Sequence, residues 1–82
     1  MSKFEKMLSK MSNNPNGWTI KDLKSIALKL GMLVREGKGS HVIFSHEKAV
    51  TALSVPSKRP IKAIYIKQFL DLVSEVMEVS DE

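Results

Sequence analysis

The apolar positions follow two different periods, and the switches between them divide the chain. Phe4, Met7, Leu8 and Met11 recur at the i, i+3, i+4, i+7 spacing of one helical stripe, predicting a first helix over about Ser2 to Ser12. Ser2 and Glu5 stand at the spacing of a capping box at its start. Asn13-Asn14-Pro15-Asn16-Gly17 then reads as a turn-rich loop. A second helix is predicted from Thr19, which can cap it with Asp22 three residues on, while Trp18 and Leu23 hold the two ends of a hydrophobic staple. Ile20, Leu23, Ile26, Ala27 and Leu30 form its buried stripe, and Gly31 supplies the left-handed residue that commonly ends a helix. On this reading Trp18 is an anchor and not a base-stacking platform.

From Met32 the period drops to two. Met32 and Val34 alternate with Leu33 and Arg35, and the alternation resumes in Ser40-His41-Val42-Ile43-Phe44-Ser45, which predicts a hairpin. If Val34, Val42 and Phe44 share the covered face, the numbers of paired residues must sum to an even value. That selects a three-residue Gly37-Lys38-Gly39 loop, with Val34 facing Val42 and Arg35 facing His41. A third strand near Ala52 to Val55 adds Leu53 and Val55 to the core before Pro56 stops it. After Ser57-Lys58-Arg59-Pro60 the helical period returns from about Ile61 to Glu78, with Ile66, Phe69, Leu70, Val73 and Val76 or Met77 on one stripe. The expected fold is α+β in the order ααβββα, a three-stranded antiparallel sheet with its helices on one face. The other face is left open and should carry Arg35, His41, Ile43, Ser45 and Ser54.

Composition narrows the class. Eighty-two residues leave room for one domain, 43% hydrophobic and 27% charged residues are ordinary for a globule, and the absence of cysteine removes disulfides and thiolate metal sites. No run approaches the ~18 apolar residues of a membrane span and the first residues lack the apolar core of a signal peptide, so a cytoplasmic location is expected. Charge is uneven. Residues 1–62 carry twelve basic and four acidic side chains, and residues 63–82 carry one and five. A basic body suits a polyanion such as nucleic acid, whereas the acidic end reads as a solvated helix terminus.

No glycine-rich phosphate loop or nucleophile elbow is present, and Gly37-Lys38-Gly39 is adequately explained as turn chemistry, with Lys38 at its tip able to touch a phosphate. His41 and His46, five apart on one extended segment, point to opposite faces and lie roughly 16 Å apart, so they do not make a metal pair. His46 beside Glu47 reads as an exposed loop residue. His41 is the imidazole placed mid-strand on the open face, near Arg35 and Lys38. Neighbouring cations favour a neutral imidazole, which can take the proton of a ribose 2′-hydroxyl while arginine stabilises charge on the adjacent phosphate. This arrangement suits RNA scission without a metal or cofactor. Spacing alone favours an exposed strand histidine of no chemical consequence over the catalytic reading.

Three motifs in order carry a resemblance. Trp18-Thr19 with Asp22-Leu23 and Leu30-Gly31, then Gly37-Lys38-Gly39-Ser40-His41-Val42-Ile43-Phe44, then Leu53-Ser54-Val55-Pro56 with Pro60-Ile61-Lys62 and Tyr65-Ile66-Lys67-Gln68-Phe69-Leu70 together resemble the HicA-type family of mRNA-cleaving toxins. The likeness covers about residues 13–78, leaving 1–12 as an additional N-terminal helix. It implies a fold like that of double-stranded-RNA-binding domains and an endoribonuclease whose essential histidine is His41. It further implies neutralisation by a cognate HicB-type antitoxin that covers the catalytic surface; with His41 as general base, Arg35 and Lys38 are the expected phosphate ligands and Ser40, Lys58 and Arg59 the further substrate contacts. Many relatives carry a second histidine just after the proline that ends the third strand. Lys58 stands there in this chain, and an alkyl ammonium is a reluctant acid at neutral pH. A non-catalytic RNA-binding module of the same fold and a protein-docking module are the competing readings.

Overall fold

A computed structural model describes residues 3–58 and 60–80, with side chains in the last helix as far as Met77. Ser2 and its capping box lie outside the described residues. The elements run α1 (Lys3–Asn13), α2 (Ile20–Lys29), β1 (Leu33–Glu36), β2 (His41–Ser45), β3 (Leu53–Pro56) and α3 (Ala63–Ser80), an α+β fold in the expected order.

Local chemistry accounts for the boundaries of α2. The Thr19 side chain accepts the Asp22 N–H and the Asp22 carboxylate accepts the Thr19 N–H at 3.0 Å, the reciprocal capping box. At the other end Gly31 takes φ 72°; its N–H donates to Leu28 O and Met32 N–H to Ala27 O, the paired bonds of a Schellman motif. Trp18 anchors the entry, half-buried, with Nε1 donating to Asn14 O at 2.7 Å and its own carbonyl accepting the Ile61 N–H that leads into α3.

The sheet is antiparallel in the order β1-β2-β3, with Val42, Phe44 and Val55 on the covered face at 0–2% exposure. Leu23, Ile26 and Ala27 of α2 and Ile66, Phe69, Leu72, Val73 and Val76 of α3 complete one core cluster with them. Phe44 meets Phe69 edge to face, ring centroids 5.2 Å apart, and so pins the central strand to α3. The stripe of α3 is wider than the sequence suggested, because Leu72 is buried while Leu70 and Met77 are only partly so. Helix α1 belongs to this packing. Met11 is fully buried, Phe4, Met7 and Leu8 pack against the core, and Lys29 Nζ stands 5.9 Å from the Phe4 ring centroid.

Three strand details differ from expectation. The hairpin register pairs Val34 with Phe44, Arg35 with Ile43 and Glu36 with Val42, so Val34 does not face Val42 and Arg35 does not face His41. The paired numbers still sum to an even value, as one-sided burial requires, but the pairing has slipped by two. The turn is the cause. Gly39 takes φ 63°, the positive φ that a hairpin turn needs at its first central position, and His41 N–H closes back on Lys38 O at 3.4 Å. Gly37 N–H also donates to His41 O at 2.8 Å, so Gly37 and Lys38 together oppose His41 in a bulge-like two-against-one arrangement. The tip is therefore Lys38-Gly39-Ser40, not Gly37-Lys38-Gly39. Finally, Pro56 does not stop β3 but ends it as a paired residue opposite His41, which an edge strand tolerates.

Candidate functional site

The register decides what stands on the open face. Leu33, Arg35, Gly37, His41, Ile43, Ser45, Ser54 and Pro56 alternate onto it, a set without a carboxylate. Glu36 falls on the other side, where its carboxylate lies 3.6 Å from Lys24 Nζ of α2. That pair is solvent-exposed and adds little stability. Its consequence is electrostatic, since it draws the negative charge nearest the hairpin tip towards the helix layer.

His41 is exposed at the tip end of β2, flanked by Gly37 on one side and Pro56 on the other. Neither neighbour brings a polar side chain. A Cβ built on Gly37 would lie 3.1 Å from Ile43 Cδ1 and 3.6 Å from His41 Cβ. A Cβ there would crowd Ile43 and stand in ordinary contact with His41, so glycine at position 37 leaves room for the Ile43 side chain next to His41, a role distinct from the turn conformation of Gly39. The imidazole Nδ1 lies 3.3 Å from Lys38 O. A carbonyl can only accept, so Nδ1 is the donor of this contact, and a neutral ring in that tautomer carries its lone pair on Nε2, where a base acting through Nε2 requires it.

The other nominated residues gather unevenly. Lys38 and Ser40 are exposed in the tip beside His41. Ser40 O accepts the Ser57 N–H at 2.7 Å, which ties the segment after β3 to the hairpin tip and brings the exposed Lys58 to the His41 end of the sheet. Arg35 shares the open face but is offset by two residues from the position opposite His41, a diagonal of roughly 7–8 Å between backbones that a long side chain can span. Arg59 lies outside the described residues. Two contributors were not singled out from sequence: the position without a side chain at Gly37, over which Ile43 lies, and the Lys38 carbonyl. The double glycine around Lys38 was their only trace.

His46 takes a different part. It is half-buried rather than exposed, and its Nδ1 accepts the Lys48 N–H at 3.0 Å while its carbonyl accepts the Ala49 N–H. Its ring caps a turn. Among the described residues no three His, Cys, Asp or Glu side chains gather as a metal site, and no helix is long and apolar enough to cross a membrane. Comparison with family models, with curated proteins and with solved structures found no match.

Proposed function

We propose that this protein is an endoribonuclease toxin of the HicA type, acting in the cytoplasm on mRNA and held in check by a HicB-type antitoxin. The observation that carries the reading is the exposed His41 ring on a strand face without carboxylates, its Nδ1 3.3 Å from Lys38 O. In the proposed reaction Nε2 takes the proton of a ribose 2′-hydroxyl, and the 2′-oxygen attacks the adjacent phosphorus. The bond to the 5′-oxygen breaks, leaving a 2′,3′-cyclic phosphate and a 5′-hydroxyl. Arg35 and Lys38 stabilise charge on the phosphate, Ser40, Lys58 and Arg59 hold the flanking backbone, and Lys58 or water returns a proton to the leaving oxygen. Without a second imidazole that last step is slow, because a well-matched general acid is typically worth about a hundredfold or more.

The test is incubation of the purified protein with RNA in chelator beside His41→Ala. RNA should decay with the parent and survive with the variant, the rate falling about a hundredfold or more, and induction in a bacterial host should arrest growth only for the parent. Equal decay in both samples removes His41 from the chemistry. Binding without cleavage by either protein would favour the RNA-binding module, which the lysines alone can support.

A further inference from the structure

A second feature borders His41 on the side away from Gly37. Between the end of β3 and the start of α3 lies a cleft of about 500 Å³ lined by Pro56, Lys58, Pro60, Ile61, Lys62 and Tyr65. Its chemistry is divided. Two prolines, Ile61 and the half-buried Tyr65 ring give it apolar walls, while Lys58 and Lys62, both exposed, set cations at its rim. The Tyr65 hydroxyl makes no hydrogen bond among the described residues, and the Tyr65 backbone N–H is held by Lys62 O at 3.0 Å in the first turn of the helix. The cleft between α1 and α3, lined by Leu8, Ser9, Ser12, Leu70, Val73, Ser74 and Met77, has no charged group.

We infer that the cleft beside Pro56 is a nucleotide subsite that takes one base of single-stranded RNA against Tyr65, with its phosphate between Lys58 and Lys62. The inference rests on the ribonuclease reading for its orientation. Because Pro56 is paired with His41, a base seated there belongs to a nucleotide next to the scissile phosphate. A planar apolar wall with a positive rim matches a nucleotide's own division into stacking surface and anionic phosphate, and base–aromatic stacking tolerates any sequence because every base offers a π face. Sequence preference, where it exists, would come from the free phenol hydroxyl reading a base edge. Tyr65 is thereby a binding residue of the substrate, and Lys62 a phosphate contact.

The experiment measures binding of a short single-stranded RNA with 2′-O-methyl riboses, which cannot be cleaved, by Tyr65→Leu, Tyr65→Phe and Lys62→Ala proteins as well as the parent. Leucine keeps the apolar contact of Tyr65 without its ring, and thermal melting of each variant confirms folding. Tyr65→Leu should weaken binding about tenfold or more, and Tyr65→Phe much less. An oligonucleotide with an abasic site at the scissile step should bind parent and Tyr65→Leu alike. Lys62→Ala, at an exposed position just before α3, should lower the slope of log affinity against log salt by about 0.7. Equal affinity of Tyr65→Leu and parent for the intact oligonucleotide overturns the subsite, as does an absence of binding to the parent. The ribonuclease reading fails separately, when parent protein leaves unmodified RNA uncut.

Discussion

The two faces of the sheet obey different rules although they share the same strands. On the covered face, Val42, Phe44 and Val55 are sealed against Phe69 and the stripes of α2 and α3, and residue identity is set by volume. On the open face Arg35, Gly37, His41, Ser45 and Ser54 are small, polar or cationic, interleaved with Leu33, Ile43 and Pro56, and the residue opposite His41 is a glycine with no side chain at all. The first face is where stability resides. The second keeps a hydrogen-bonded imidazole accessible, an arrangement that contributes little to stability.

Substitutions that exchange these roles should separate the faces, and the largest effect belongs to Phe44→Ala. It removes a fully buried ring and its edge contact with Phe69, and should cost about 3–5 kcal/mol in denaturant unfolding, enough to leave much of so small a domain unfolded. A loss under about 1 kcal/mol would mean that the covered face is not the core described. Gly37→Ala should do less to stability and more to chemistry. The added methyl meets the flexible end of Ile43, so the expected cost is below about 1 kcal/mol against the ~1–3 kcal/mol of overpacking a core, but cleavage should fall severalfold as the approach to His41 narrows. Unchanged cleavage would show that substrate does not come in from that side. Least of all should His41→Ala affect folding, within about 0.5 kcal/mol, because the ring is exposed and its one described hydrogen bond is local.

The same contrast explains what was legible in the sequence. Helix α2 could be read almost to the residue because Trp18, Thr19, Asp22, Leu23 and Gly31 act locally, each through a bond or contact within a turn. Burial on one side fixed the parity of the hairpin, and with it the placement of Arg35 and His41 on the open face. Parity does not choose between registers two residues apart, however. That choice was made by Gly39 adopting positive φ and by Gly37 and Lys38 sharing His41, which moved Arg35 to a diagonal. The cleft at Tyr65 was hidden for a related reason: Tyr65 could be nominated for base stacking, but an aromatic beside a helical stripe reads first as packing, and the cleft is built by Pro56, Lys58 and Pro60 standing beside Ile61, Lys62 and Tyr65. Contacts a few residues apart were readable; surfaces assembled by a slip of register or a bend between elements were not.

The central claim is that Nε2 of His41 takes a 2′-hydroxyl proton, and its most direct measurement is the chemistry of the cut ends. RNA incubated with the protein in chelator should yield fragments ending in 2′,3′-cyclic phosphate and beginning with 5′-hydroxyl, and a single 2′-deoxy ribose at the cut position should abolish that cut while leaving others intact. Fragments beginning with 5′-phosphate, or undiminished cutting at the deoxy position, would contradict it.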